Sequence, residues 1–198
     1  YSYLGRSVSS AGDLNGDGYA DILVGGANAY DTGGAPDPGH AYVLYGHASG
    51  FSASIDLSQL TASMGFAISG HSLKDQAGWS VSGAGDLDGD GLDDVIVASP
   101  QNTSGGRGEI QIIYGKADPS AIVGTDNADT LSGTSAANIL IGGHGNDTIN
   151  GNGGADSIHG GSGDDHIHVS NNSFFRIDGG SGMDTLHLDF AGAIDFGN

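Results

Sequence analysis

Two loops in the first half of the chain carry side-chain oxygens at the same four positions of a nine-residue segment. Positions one, three, five and nine hold Asp or Asn, and position six holds glycine. The candidates are Asp13, Asn15, Asp17 and Asp21 in the first loop and Asp86, Asp88, Asp90 and Asp94 in the second. Alternate oxygens in a tight bend turn towards one point, and the glycine permits the bend. This arrangement predicts one calcium ion in each loop.

The side chains alone do not fill a calcium shell, which takes about six to eight oxygens at about 2.3–2.6 Å. We expect the backbone carbonyls of Tyr19 and Leu92, at position seven, to contribute. Bidentate binding by Asp21 or Asp94, or water, would complete the shell. An EF-hand is excluded, because position twelve is valine in both loops where that motif requires a bidentate glutamate.

A second pattern, with a period of nine residues, fills most of the second half of the chain. The copies span residues 124–132, 133–141, 142–150, 151–159, 160–168 and, after ten residues that we interpret as an insertion, 179–187. The eighth position is always leucine or isoleucine. The sixth positions are Asp129, Asn138, Asp147, Asp156, Asp165 and Asp184. A glycine-rich linker would not keep one position apolar throughout, so the period indicates a folded repeat.

The chain is strongly acidic, with 24 Asp and Glu against five Lys and Arg and a formal net charge of −19. This surplus opposes compaction and excludes electrostatic binding to nucleic acid, which needs clustered basic residues. There is no cysteine to build a disulfide framework, and no apolar run approaches the roughly 20 residues of a membrane span. Divalent cations are therefore the expected counter-charge and structural support. Since the chain opens within a pattern at Tyr1, we expect a piece of a larger protein.

The elements that must position these residues are nearly all β-strands. β-Branched and aromatic runs between turn signals predict strands at 21–24, 40–46, 94–97 and 109–115, with a fourth strand of the first copy near 65–70. Only residues 56–64 could hold a short helix or turn. We place a domain boundary after residue 118, which gives a first domain at 1–118 and a second at 119–198.

The first domain resembles the FG-GAP repeat of integrin-α-type β-propellers over residues 1 to about 116. The resemblance rests on Gly-x-Ser-Val at 5–8 and 78–81, the acidic loop, and the apolar strand that follows. Trp79 takes the place of the aromatic residue of the motif, and Leu4 is a weaker substitute. The resemblance implies one propeller blade per repeat with calcium in the loop. Propellers close with about four to eight blades, so further blades of the same protein, or other copies of the chain, would supply the rest.

The second domain resembles the RTX calcium-binding repeat, Gly-Gly-x-Gly-x-Asp-x-U-x, in which U is apolar. The resemblance implies a parallel β-roll with two nonapeptides per coil, an inward eighth position, and calcium held by Asp carboxylates and turn carbonyls. The implied carboxylate donors are Asp129, Asp147, Asp156, Asp165 and Asp184. The implied turn donors are Gly142, His144, Gly151, Gly153, Gly160, Ser162, Gly179 and Ser181. Asn138 lacks the charge, and Asn127 and Ala136 replace glycine at position four, so the first two turns are expected to be calcium-poor caps.

These features favour a calcium-binding structural or adhesion module of a secreted or cell-surface bacterial protein that folds, and could self-assemble, on binding calcium. Export in one step by a bacterial secretion system fits a chain that folds only in the calcium-rich exterior. Its partners would be further blades, other copies, or a host or matrix protein or glycan. The alternative is the C-terminal export and folding portion of a secreted hydrolase whose catalytic domain lies outside this chain. A third option is a binding face that uses the loop at 27–39.

Few other residues suggest chemistry. No G-x-S-x-G elbow is present, so we do not expect an enzyme. His166 and His168 lie two apart on one face of a strand, and with His159 and His187 they could form a zinc site, although a solvent-facing polar surface explains them more simply. Phe174 and Phe175 could form an exposed contact or a cap on the roll.

Overall fold

The first sheet is one complete four-stranded antiparallel blade. The computed structural model describes residues 3–27, 35–100 and 107–191, so residues 28–34 of the loop at 27–39 lie outside the described part. The strands are β1 (Leu4–Gly12), β2 (Asp21–Gly26), β3 (His40–Leu44) and β4 (Gly65–Ser69), hydrogen-bonded in that order. A single 3₁₀ turn at Leu57–Gln59, with Asp56 as its N-cap, lies inside the segment for which a short helix was predicted.

The second sheet repeats the first three strands of this blade. Its strands are β5 (Ser80–Gly85), β6 (Asp94–Ser99) and β7 (Glu109–Ile113), again antiparallel and in chain order. Alternate side chains of both sheets form one apolar core that includes Leu23, Val43, Val81, Val95 and Val97. The acidic loops join β1 to β2 and β5 to β6, so equivalent strands hold both loops.

The remaining strands form a parallel solenoid. One sheet has the order β14-β12-β10-β8, with β8 at Ile122–Val123, β10 at Ile139–His144, β12 at Ser157–Ser162 and β14 at Arg176–Asp178. The other has the order β15-β13-β11-β9, with β9 at Thr130–Ser132, β11 at Thr148–Asn150, β13 at His166–Val169 and β15 at Thr185–Leu188. Residues 18 positions apart are partners, such as Ile149 and Ile167. Two nonapeptides therefore make one coil, and the predicted β-roll is confirmed.

The eighth positions of the repeats form the core of the roll. Leu140, Ile149 and Ile158 are completely buried, and Ile167 and Leu131 nearly so. Leu186 is 40% exposed, and it lies on β15, the last strand of its sheet among the described residues.

The sequence pattern suggested that the ten residues before the last repeat are an insertion, and this prediction is wrong. They contain β14, which pairs with β12 in parallel at an offset of 19 residues, and Ile177 is the partner of Ile158. The segment is therefore a half-coil one residue longer than the others. Phe174 packs against the core of the roll, whereas Phe175 is 45% exposed.

The chain forms two compact units. Strands β1–β7 belong to the first, and β8–β15 belong to the second, together with the loop tips at 15–18 and 88–92. In the part of the chain that the structure describes, no helix is long and apolar enough to cross a membrane.

Candidate calcium sites

The last carboxylate of each acidic loop ties the loop to the ends of its strands. The Asp21 carboxylate accepts the N–H of Leu14 at 2.9 Å and the N–H of Gly46 at 2.8 Å. Asp94 repeats the arrangement with Leu87 at 2.7 Å and Gly115 at 2.8 Å. Both carboxylate oxygens are thus already engaged, so Asp21 and Asp94 can offer an ion only their remaining lone pairs. Their first role is to fix the loop in a bent conformation.

Glycines in the left-handed region allow the bend in both loops. Gly16 and Gly18 have φ of 74° and 90°, and Gly89 and Gly91 have φ of 85° and 88°. This region is strained for residues with a Cβ. The short polar side chains bond locally within the bend. The Asn15 carbonyl oxygen accepts the Asp17 N–H at 3.2 Å, its amide donates to the Asp17 carboxylate at 3.0 Å, and Asp90 accepts the Leu92 N–H at 2.9 Å.

The second loop brings three carboxylates together. Oxygens of Asp86, Asp88 and Asp94 all lie within 4.8 Å of one another. Asp94 is buried and the other two are exposed. Like charges at this separation repel unless a cation lies among them, and oxygen-only donors suit calcium. Tyr19 is half-buried and Leu92 buried at position seven of their loops.

The first loop differs from the second in the burial of its first carboxylate. Asp13 is only 1% exposed, whereas Asp86 is exposed. Asp13 donates its N–H to the Asp93 carboxylate at 2.8 Å, and its carbonyl accepts the Asp93 N–H at 3.2 Å. Two hydrogen bonds between Asp13 and Asp93 thereby link the two loops.

In the roll, the sixth positions line up as two ladders, one in each stack of turns. We call residues 124–129, 142–147, 160–165 and 179–184 the first turn stack, and residues 133–138, 151–156 and 170–175 the second turn stack. In the first stack, Asp129 donates its N–H to Asp147 Oδ1 at 2.8 Å, Asp147 to Asp165 Oδ1 at 2.8 Å, and Asp165 to Asp184 Oδ1 at 3.1 Å. In each of the three accepting carboxylates, Oδ1 is therefore bound by an amide of the preceding coil, and this bond does not involve Oδ2.

The second oxygen of two of these carboxylates is buried without a hydrogen-bond partner. These atoms are Asp147 Oδ2 and Asp165 Oδ2, on side chains that are 0% exposed. Burial raises the pKa of both carboxyl groups, and the charges of neighbouring aspartates raise it further. An unpaired buried carboxylate oxygen is costly, and a bound cation removes the cost. The residues present therefore fit a calcium ion.

First-position glycines keep space open beside these oxygens. A Cβ on Gly142 would collide with Asp147 Oδ2 and with the carbonyl oxygen of Gly160 in the next coil. A Cβ on Gly160 would meet Asp165 Oδ2 and the Gly179 carbonyl in the same way. A carboxylate of one turn and a carbonyl of the next thus line the same space, which is the donor combination that calcium requires.

The third positions of the first stack also lie in register. His144 is the strand partner of Ser162, and Ser162 bridges to Ser181. The carbonyls of Ser162 and Ser181 accept the amides of Gly145 and Gly163 at 2.8 Å, so they hold adjacent turns together and retain one lone pair each. The His144 ring bonds the Ser162 hydroxyl at 2.8 Å.

The second turn stack has a poorer donor set. Asp156 Oδ1 accepts the Asn138 N–H at 2.9 Å, and burial raises the pKa of the Asp156 carboxyl. Gly151 and Gly153 lie in this turn. The next turn offers Phe175 instead of a carboxylate, and its N–H bonds the Asp156 carbonyl at 2.8 Å. Carboxylate donors are therefore concentrated on the first stack.

In the first coil, two threonines that the sequence analysis did not single out donate hydrogen bonds to the sixth-position oxygens. Thr125 donates its N–H and its hydroxyl to Asp129 Oδ2 at 2.7 and 2.8 Å. Thr134 does the same to Asn138 Oδ1 at 2.6 and 3.1 Å. These bonds satisfy the oxygen that stays unpaired in Asp147. The sequence signal was threonine, instead of glycine, four residues before the sixth-position side chain, a spacing typical of local side-chain bonding.

Comparisons with known families agree with this geometry. The FG-GAP repeat matches residues 4–44 and 77–113, and the RTX calcium-binding nonapeptide repeat matches residues 123–158 and 145–171. Integrin alpha pat-2 of Caenorhabditis briggsae is 34% identical over 100 residues, which are 48% of this chain and 7% of that protein. Human integrin alpha-IIb is 31% identical over 125 residues, 59% of this chain and 11% of that protein.

A further relative is named as an enzyme. Phosphatidylinositol-glycan-specific phospholipase D of Dictyostelium discoideum is 25% identical over 122 residues, 58% of this chain and 12% of that protein. The chain thus spans about a tenth of the length of the relatives it matches.

Fold and donor geometry together define a calcium-binding repeat module. The chain carries FG-GAP repeats followed by RTX calcium-binding nonapeptide repeats, in this order. Both repeat families are structural and calcium-binding, and neither is catalytic.

Proposed function

We propose that calcium ions lie between successive turns of the first turn stack and in the two acidic loops, and that the chain folds on binding them. The unpartnered buried oxygens of Asp147 and Asp165 carry this proposal. Asp184 and the Gly160 and Gly179 carbonyls would complete the stack sites. The acidic loops would use Asp13, Asn15 and Asp17, or Asp86, Asp88 and Asp90, with the carbonyls of Tyr19 and Leu92. Bound calcium supplies positive charge between carboxylates that otherwise repel.

The charge of the whole chain makes this folding conditional. A net charge of −19 opposes compaction, and the roll core consists of two short columns of leucine and isoleucine, one on each sheet, with Val169 and a few partly buried neighbours. Ordering the backbone costs about 1–2 kcal/mol per residue, which so small a core does not offset alone. Ion binding would therefore supply folding free energy.

We further propose that the protein works outside the cell as a structural or adhesion module of a larger secreted bacterial protein. Support comes from its calcium dependence, which suits a calcium-rich exterior, and from its likeness to integrins. Its two domains would be residues 1–118 and 119–198, which is consistent with the end of β7 at Ile113 and the start of β8 at Ile122.

A second function is favoured by the relative named as a phospholipase. In that case the chain would be the export and folding portion of a secreted hydrolase whose catalytic domain lies outside it. The sequence of the full-length protein separates the two proposals: a catalytic domain supports the second, and a long series of further repeats supports the first.

Calcium titration followed by circular dichroism and calorimetry tests the central proposal. We expect several ions per chain and β-signal of the roll that appears only with calcium. Asp165→Asn should lower the number of ions bound, whereas Asp126→Asn, an equal loss of charge at an exposed turn residue, should not. A calcium-free chain that stays folded and melts no earlier than the calcium-loaded one would contradict the proposal, as would equal binding by the two variants.

A further inference from the structure

Three imidazoles and a carboxylate gather on the outer face of the last coil of the roll. His166 and His168 lie on β13, and His187 on β15 is the direct strand partner of His168. His166 and His168 share a face because they are two residues apart. Asp189 follows β15 on the same side, and its carboxylate lies 3.0 Å from His168 Nδ1.

The grouping differs from the one that the sequence suggested. His159 does not take part, because it lies on β12 of the other sheet, is buried, and bonds the Ser157 hydroxyl at 3.2 Å. Asp189, which the sequence pattern did not indicate, takes its place.

The ring nitrogens are spaced as they would be around zinc. His166 Nδ1 and His187 Nε2 are 3.2 Å apart, and two ligands of a tetrahedral zinc ion, each at about 2.0–2.1 Å, are separated by about 3.3 Å. The His168 ring stacks on the His187 ring, with the ring centroids 4.3 Å apart and the ring planes at 6° to each other. Parallel rings aim their nitrogens in parallel, so His168 must rotate to reach an ion held by the other two.

Asp189 prepares His168 for such a role. A carboxylate on Nδ1 holds that nitrogen as the donor and leaves Nε2 with a free lone pair, which is the usual outer-sphere support of a zinc-bound histidine. The four side chains therefore provide two nitrogens at the spacing of zinc ligands, on rings that are themselves stacked at a centroid distance of 5.5 Å and an angle of 22°. The third nitrogen reaches the same ion when the His168 ring and the Asp189 carboxylate turn together.

Equivalent positions in the earlier coils argue against a merely solvated face. Where β13 carries His166 and His168, β11 carries Thr148 and Asn150, and β9 carries Thr130 and Ser132. Ordinary polar residues thus suffice for solvation, and metal-ligand types appear together only at the last coil.

We propose that His166, His187 and His168 bind one zinc ion, with Asp189 as a positioning residue and water at the open position. The ion joins β13 to β15 and fastens the terminal coil, whose Leu186 is exposed on one side. Histidine nitrogens suit zinc and its neighbours among the transition metals, whereas carboxylate and carbonyl oxygens suit calcium. The strands that carry these histidines form part of the calcium-dependent roll, so assembly of the site rests on the proposed function.

The test is zinc titration of the calcium-saturated chain by calorimetry, together with the visible spectrum of the cobalt-substituted protein. We expect one zinc per chain and the intense bands of tetrahedral cobalt. His166→Ala/His187→Ala should abolish both, and Asp189→Asn should weaken zinc binding about tenfold. His47→Ala is the control, since His47 lies in the first unit and bonds only Ser49 in the contacts described.

Calcium-induced circular dichroism, recorded on every variant, separates this proposal from the previous one. A normal calcium response with no zinc binding, or with equal zinc binding by the double variant and His47→Ala, overturns the zinc site alone. A chain that needs no calcium to fold but still binds zinc through these histidines overturns only the calcium proposal.

Discussion

At the scale of single residues, the side chain four positions before the ladder aspartate decides whether its second oxygen needs an ion. In the first coil the Thr125 amide and hydroxyl satisfy Asp129 Oδ2. In the third repeat glycine stands at that position, and Asp147 Oδ2 is left unpaired. The amide and hydroxyl of Thr125 thus occupy an oxygen that another turn leaves open for calcium, so we expect the first coil to need less calcium than the rest of the roll.

Thr125→Gly should convert the first turn into a calcium-responsive one. The substitution removes the hydroxyl bond to Asp129 Oδ2 and leaves the amide bond, so that oxygen should be freer to bind calcium and the calcium response of the roll should grow. Calorimetric stoichiometry and the calcium midpoint of the circular dichroism signal measure the change. Thr125→Ser keeps the hydroxyl and should behave as the wild type. The same calcium midpoint for both variants would contradict this role of the threonine.

The pH dependence of stability should reverse when calcium is removed. Burial raises the pKa of Asp147, Asp156 and Asp165, so without metal the folded chain binds more protons than the unfolded chain. Its stability should then fall as pH rises from the ordinary Asp pKa of about 3.9 through the raised values. With calcium, protons compete for the ligands, so acidification should weaken the fold. The circular dichroism signal of the roll at about pH 5 and about pH 7, with and without calcium, measures both trends; a calcium-free chain with more β-signal at the higher pH would be the contrary result.

At the scale of elements, the sequence predicted the strands that belong to strictly periodic repeats. Repetition of the apolar eighth position and of the strands beside each acidic loop was enough for the roll and the first blade. The half-coil with β14 escaped because it contains no glycine, Phe175 takes the place of the sixth-position aspartate, and the repeat is one residue longer. Its place in the stack depends on Ile177, an apolar residue whose role only the pairing with Ile158 reveals. The ligand-like threonines escaped because their bonds depend on turn geometry.

Ile177→Asp should therefore destabilise the roll as a core substitution would. Ile177 is half-buried and packs against the core of the roll, so a charge there should cost about 2 kcal/mol or more. Met183→Asp adds the same charge at a residue that is 79% exposed and should change little. Denaturant unfolding of the calcium-loaded chain compares them. Equal stabilities would mean that residues 170–178 behave as an insertion after all.

At the scale of the whole molecule, the two repeat types solve the same electrostatic problem in different ways. Each acidic loop gathers its carboxylates within one short bend between two strands, whereas the roll distributes them over successive coils. In both, backbone amides donate to the carboxylates. Leu14 and Gly46 donate to Asp21. Asp129 donates to Asp147, and Asp147 donates to Asp165. Partial positive charge from the amides lowers the repulsion but does not cancel it, so we expect the whole chain to depend on added cations.

The outer face of the second blade gives the last prediction. In the first blade β3 lies between β2 and β4, whereas within the described residues β7 has only β6 as a sheet neighbour. Ile110, Ile112 and Tyr114 are 67%, 47% and 53% exposed there. An open strand edge beside exposed apolar side chains favours pairing with another chain. We therefore expect the calcium-loaded chain to self-associate as its concentration rises, with a further blade as the natural cover in a longer protein.

Ile110→Lys/Ile112→Lys should shift this equilibrium to the monomer, because two charges would have to be buried in the contact. Sedimentation velocity over a range of concentrations measures the shift, and Met183→Lys, a charge on an exposed apolar residue of the roll, is the matched control. A wild type that is monomeric at every concentration would show that the face alone does not drive assembly. Association that survives the double substitution would place the contact elsewhere on the chain.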